Sequence, residues 1–220
     1  MAQDSFSAQL RQEAQGIWSA IDRHPFLREL RAGTLPLESF RYFILQDYHY
    51  LGYLARTVAI AISKAPDSAT LQVLAQRLAR PVERLGHKGR FEKLEMDLDQ
   101  VEKAQLAPTN VAYINHMLVS ALQGSVGDAA ASLLPCAWTY NELARVVRGT
   151  EHPIYKEWAS FYDGAPLQDS VDTWRGFIDK QSEQGGPADR ETMRRIFLTS
   201  MRYEFYFWDM AYKLERWPLT

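Results

Sequence analysis

Apolar residues recur at three- and four-residue intervals from one end of this 220-residue chain to the other. That period belongs to α-helices, because side chains at i, i+3, i+4 and i+7 share one face that must find a core. Ser5–Ile21 carries such a stripe at Phe6, Leu10, Ala14, Ile17 and Trp18. Pro25 and the run Gly33-Thr34-Leu35-Pro36 punctuate the next stretch, with Thr34 the expected N-cap of a long helix over Pro36–Ser63. Asp67 to about Leu98 reads as another long helical pattern, which Pro81 should split or kink. Helices are expected over Thr109–Leu122, from Ser125 or Asp128 to about Val147, and over Pro153–Tyr162, Leu167–Gln184 and Ala188–Arg216. Gly124, Gly149, Gly164, Gly185-Gly186-Pro187 and Pro218 mark the breaks. No stretch alternates as a strand, and no low-complexity linker divides the chain. The expectation is a single all-α domain spanning residues 1–220, a helical bundle of roughly seven to nine helices joined by short loops.

Composition narrows the function classes. With 46% hydrophobic residues, including six Trp, eleven Tyr and ten Phe, the chain can build a large core. Lys and Arg number 25 against 27 Asp and Glu, and the pI is about 6.2, so a basic nucleic-acid surface is not expected. One cysteine, Cys136, excludes an intrachain disulfide and a cysteine-based zinc site. The first 22 residues lack a basic segment followed by an apolar one, and Leu51–Ile62 is short and contains Arg56. No membrane span is expected, and the cytoplasm is the expected compartment.

Three polar residues interrupt core-facing stripes, where an ionisable group needs a reason to be. Asp47 fills the gap between Phe43 and Leu51 in the stripe Phe40, Phe43/Ile44, Leu51, Leu54, Val58, and Tyr50 follows it at i+3. A structural Asp paired with an arginine or capping a helix would fit the same pattern. Glu204 takes the step after Met193, Phe197 and Ser200, ahead of Phe207 and Ala211, inside Tyr203-Glu204-Phe205-Tyr206-Phe207-Trp208. Burial among rings raises a carboxyl pKa and permits proton exchange near neutrality, although a salt bridge is the plainer alternative. Cys136 lies on Leu133, Cys136, Tyr140, Leu143, just after Pro135, which should kink the helix. A lone cysteine there is ordinarily a small buried hydrophobe, unless a nearby base generates its thiolate.

Other constellations fail. Paired Glu-x-x-His motifs and phosphate-binding glycine loops are absent. Glu83 and His87 at i, i+4 fit a surface pair better than a metal site. His24 could serve as a haem ligand but precedes Pro25 in a helix-start context, which favours a cap. The Arg77–Glu95 region mixes signs as a solvated face does.

As a set, these residues resemble a known family. His24-Pro25-Phe26, Gly33-Thr34-Leu35-Pro36 with Phe40, and Gln46-Asp47-Tyr48-His49-Tyr50-Leu51 are similar to the N-terminal signature of the TenA/thiaminase II family. Leu134-Pro135-Cys136-Ala137-Trp138-Thr139-Tyr140 resembles its central motif, and Tyr203–Ala211 with Trp217-Pro218 its C-terminal one. The resemblance implies a haem-oxygenase-like bundle, homotetrameric and cofactor-independent, acting in thiamin salvage. It implies hydrolysis of an aminopyrimidine or thiamin to 4-amino-5-hydroxymethyl-2-methylpyrimidine (HMP). Cys136 matches the family nucleophile, Glu204 the acid/base group and Asp47 the pyrimidine-binding carboxylate. Tyr50, Tyr113, Tyr140 and Tyr162 match pocket residues, and no metal is implied. A non-catalytic pyrimidine-binding or regulatory protein using the same pocket is the competing expectation.

Overall fold

A computed structural model describes residues 5–79, 89–147, 149–162 and 164–219. Among these, every regular element is helical. The helices are α1 (Phe6–Glu13), α2 (Gln15–Asp22), α3 (Pro25–Ala32), α4 (Leu37–Ile62), α5 (Ser68–Ala79) and α6 (Leu98–Lys103). They continue with α7 (Pro108–Gln123), α8 (Val126–Val147), α9 (Pro153–Tyr162), α10 (Ala165–Gln184) and α11 (Pro187–Lys213). Residues 89–93 form a further helical turn.

These exceed the expected seven to nine, for two local reasons. The first stripe divides at Ala14, whose ψ of 0° bends the chain while Ala14 N–H still reaches Leu10 O and Trp18 N–H reaches Ala14 O. The Pro and Gly marks that read as breaks instead bracket α3. Pro25 occupies its first turn, where a missing N–H costs nothing, and Gly33 closes it at φ 72° in the left-handed region. Thr34 is not the cap of α4: Pro36 holds that place, and Thr34 N–H bonds back to Glu29 O. Ser125 caps α8, its Oγ accepting from Asp128 N–H while Asp128 Oδ2 accepts from Ser125 N–H at 2.7 Å. The expected break at Pro81 and the Glu83–His87 pair lie outside the described residues.

The core is organised around α8, which is apolar on nearly all sides and packs against α4, α7, α9, α10 and α11. Gly127 lets α10 approach, since a Cβ there would stand 2.7 Å from Gln181 Cβ. The helix runs unbroken through Pro135. Opposite α8, α11 buries Met193, Phe197, Ser200, Glu204, Phe207 and Ala211 as the stripe predicts. A polar clamp fixes α7 against α4: Asn110 Nδ2 donates to Gln46 O and Oε1, and Gln46 Oε1 also accepts from Ala107 N–H. The C-terminal segment reinforces it, Glu215 accepting from Thr109 N–H and Oγ1 at 3.0 Å each. Within the Arg77–Glu95 stretch, read as a solvated face, Arg90 is instead buried, with its guanidinium 4.6 Å from the centre of the Phe161 ring. Among the described residues, no helix is long and apolar enough to cross a membrane.

Candidate active site

The residues singled out on α4 and α8 meet at one cavity. Asp47 and Leu51 line it from α4, Cys136, Ala137 and Tyr140 from α8, Tyr162 from α9 and Leu167 from α10. The empty space here is about 200 Å3 with the open mouth included, so the enclosed part is much smaller. A flat ring therefore fits only as the lining side chains adjust around it. Asp47 is 2% exposed and Cys136 8%, so both act in a largely water-free setting. The i, i+3, i+4 spacing of α8 places Cys136 and Tyr140 one turn apart on the face turned toward α4.

Tyr140 is the aromatic floor. Its ring stacks on Trp208 at 5.4 Å and 29° and meets Tyr162 at 5.2 Å and 61°. Phe43 stacks on Trp208 at 5.0 Å, and Trp158 closes the group against Tyr162. These contacts leave the rings few alternative positions. Burial, reinforced by the nearby Asp47 charge, pushes the Tyr140 phenol well above its ordinary value, so it keeps its proton at neutral pH.

Glu204 stands outside the lining residues, in a buried cage shared with Tyr50 and Tyr113. Tyr113 Oη donates to Glu204 Oε1 at 2.6 Å and Thr139 Oγ1 to Glu204 Oε2 at 3.2 Å. Burial raises the Glu204 pKa from 4.5 to about 7; the two hydrogen bonds oppose that rise and the Asp47 charge adds to it. The carboxyl is thus poised to take and return a proton near neutrality. Tyr113 stacks on Tyr203 at 5.1 Å and packs against Tyr50 at 5.0 Å, and Tyr50 in turn meets Phe207. Burial raises the Tyr50 and Tyr113 phenols well above 10, with the Cys136 and Glu204 charges adding to both.

Asp47, Cys136, Tyr140 and Tyr162 are therefore brought together at the cavity, whereas Tyr50 and Tyr113 back Glu204 instead of lining it. Asp47 and Tyr50 share a buried helix face but diverge, Asp47 to the cavity and Tyr50 to the Glu204 cage. Sequence reasoning assigned Thr139 no role; a polar residue three positions after Cys136 on a buried helix is the signal that could have found it. His24 is the N-cap of α3, its Nδ1 accepting from Phe26 N–H at 3.2 Å and its Nε2 3.6 Å from Asp209 Oδ1. Both ring nitrogens have these local partners, as expected of a cap. Among the described residues, no three His, Cys, Asp or Glu side chains gather as metal ligands would.

Residues 11–214 match the TENA/THI-4/PQQC family model. The chain belongs to the TENA/THI-4/PQQC family. It is 33% identical over 219 residues to the aminopyrimidine aminohydrolase of Halalkalibacterium halodurans, covering 97% of this chain and 98% of that one. A solved TenA homologue from P. horikoshii OT3 superposes with a TM-score of 0.87 at 32% identity, covering 95% and 99% of the two chains. A domain of unknown function with a haem oxygenase-like fold, from Shewanella denitrificans OS217, superposes with a TM-score of 0.76 at 12% identity over 94% and 92%. The fold of this TENA/THI-4/PQQC member is the all-α, haem-oxygenase-like bundle that its motifs imply.

Proposed function

We propose that this family member is a cytoplasmic, cofactor-independent aminopyrimidine hydrolase of thiamin salvage. The observation that carries the reading is the opening of Asp47, Cys136 and Tyr140 on one buried cavity, with a carboxyl of pKa about 7 held behind it at Glu204. The substrate class follows the curated relative, named for an aminopyrimidine. Thiamin shares that ring and differs only in the leaving group, so both are candidate substrates. The homotetramer implied by resemblance belongs to the same proposal.

Each residue has work that suits its surroundings. An electron-rich aminopyrimidine resists nucleophiles until a ring nitrogen is protonated or firmly hydrogen-bonded. The two oxygens of Asp47 can engage the 4-amino group and the adjacent ring nitrogen together, which favours the protonated ring. Tyr140 and Tyr162 offer faces and edges to a flat heterocycle and help exclude water. Cys136 is the nucleophile that adds to the ring as thiolate, and Glu204 takes up and returns the protons this requires. For the aminomethyl substrate the net change is the addition of water and release of ammonia, leaving HMP; for thiamin the thiazole departs instead.

Parallel steady-state assays on 4-amino-5-aminomethyl-2-methylpyrimidine and thiamin test the reading. Turnover of at least one is expected, with the larger kcat/KM naming the preferred substrate. Tight HMP binding with turnover of neither would overturn it in favour of a regulatory binding protein.

A further inference from the structure

Thr139 lies one turn beyond Cys136 on α8, fully buried, and its Oγ1 faces three acceptors. These are Pro135 O at 2.9 Å, Cys136 O at 3.2 Å and Glu204 Oε2 at 3.2 Å. A hydroxyl has one proton to give and two lone pairs with which to accept, so it serves one of the three at a time. The other carboxylate oxygen, Oε1, is taken by Tyr113 at 2.6 Å. Tyr113 is buried and retains its proton throughout the neutral range, so it is a constant donor. A proton on Glu204 therefore belongs on Oε2, the oxygen that faces Thr139.

Two arrangements follow, and each leaves the buried carboxyl fully paired. With Glu204 ionised, Thr139 donates to Oε2. With Glu204 protonated, Oε2–H donates to Thr139 Oγ1 and the threonine proton turns to the Pro135 carbonyl. We propose that Thr139 is a positioning residue: by turning its single hydroxyl proton between Glu204 Oε2 and the Pro135 carbonyl, it holds Glu204 in place in both protonation states and fixes Oε2 as the proton-bearing oxygen. This rests on the acid/base reading of Glu204. Because Thr139 shares a turn with Cys136, it ties the proton-bearing oxygen to the same stretch of backbone as the thiol. A hydrogen bond that changes sense with protonation also avoids an orphaned buried polar atom at either stage, which would carry a large desolvation cost.

The test compares Thr139→Val, which keeps the shape and loses the hydroxyl, with Thr139→Ser, which keeps the hydroxyl. The titratable groups around Glu204 are Asp47 and Tyr50 from α4, Tyr113 from α7, and Cys136 and Tyr140 from α8. All are unchanged in both variants. Glu204 protonation is followed directly by pH-difference infrared spectroscopy of the carboxylic C=O band, assigned by its loss in Glu204→Gln, and independently by the acidic limb of kcat/KM. Thr139→Val is expected to move the Glu204 titration upward by about 1 pH unit and to shift the C=O band, since the charge-assisted bond lost from the ionised form is stronger than the neutral one lost from the protonated form. Thr139→Ser should restore both. An unmoved titration in folded Thr139→Val, or a Thr139→Ser variant that behaves like valine, overturns the proposal. The infrared readout needs no turnover, so a shifted titration in a protein inactive on both pyrimidines would count against the hydrolase reading while supporting the role of Thr139.

Discussion

A carboxyl titrating near pH 7 inside an aromatic cage must be paid for in stability, and replacing Glu204 with glutamine measures the cost. Burial raises Glu204 from 4.5 to about 7. The native state therefore binds the proton more tightly than the unfolded chain does. Below about pH 4.5 both states are protonated and there is no penalty. As pH rises from 4.5 to 7, the unfolded chain releases its proton first and stability falls. Above pH 7 both are ionised and the penalty is complete. The gap of about 2.5 units at 1.36 kcal/mol each corresponds to roughly 3 kcal/mol. The hydrogen bonds from Tyr113 and Thr139 already reduce that cost; burial outweighs them.

Glu204→Gln resembles the protonated acid, accepting from Tyr113 through its carbonyl and donating to Thr139 through its amide. It has no titration, so its stability relative to the parent should improve as pH rises. Urea unfolding of both proteins at pH 5, 6, 7 and 8 should show the difference moving by about 2–3 kcal/mol in favour of the glutamine variant, most of it before pH 7.5. The same variant should lose turnover, because an amide cannot exchange the proton. A stability difference flat to about 0.5 kcal/mol across this range would refute the raised pKa.

Cys136→Ser should fold with the parent's thermal midpoint to within a few degrees and lose about 10^3-fold or more in kcat on either pyrimidine; full activity in the serine variant would remove Cys136 as nucleophile. Tyr113→Phe deletes the 2.6 Å donor to Glu204, so the acidic limb of the kcat/KM profile should move up by about 1–2 pH units. Asp47→Asn removes a like charge that raises Glu204, so the same limb should move down while KM for the aminopyrimidine rises, and a steady-state pH series separates the two effects. Gly33→Ala forces a Cβ onto a residue at φ 72°, costing about 1–2 kcal/mol in denaturant unfolding with no change in KM.

Most of the site was legible because helical periodicity reports burial faithfully. The stripes placed Asp47, Cys136 and Glu204 inward, and all three are buried. The motifs, by contrast, could not say which buried residues share a wall. Tyr50 and Asp47 occupy one face of α4, yet the approach of α7 draws Tyr50 against Tyr113 while α9 and α10 enclose Asp47 with Tyr162 and Leu167. That division depends on helix pairings far apart in sequence. The short helices were hidden for another reason. Pro25 and Gly33 carry the same residue preferences whether they interrupt a helix or bracket one, and eight residues show too few turns for a period to be read. Arg90 escaped notice because its stretch of sequence mixes charges as a solvated face does; Phe161 and Tyr162 arriving from α9 give its guanidinium aromatic faces.

The separation of Glu204 from the cavity lining also bears on how one bundle could combine the proposed acid/base carboxyl and the proposed binding carboxylate. In the proposed mechanism Asp47 acts as a carboxylate that favours a protonated ring, whereas Glu204 changes charge during turnover. Two carboxylates side by side would titrate as a pair, and neither role would be stable. With Asp47 on α4 and Glu204 on α11, their mutual repulsion is the smallest contribution to the Glu204 shift, behind burial and its two hydrogen bonds. Burial then sets the operating range of the acid, and Tyr113 and Thr139 trim it back toward neutrality. The aromatic surplus of the chain serves both ends: it provides the low-polarity cage that raises Glu204 and the flat surfaces against which a heterocycle can lie. Substitutions that only loosen this packing, such as Phe207→Leu beside Tyr50, should thus disturb the Glu204 titration before they disturb pyrimidine binding, and parallel pH–rate and KM measurements would expose the opposite order.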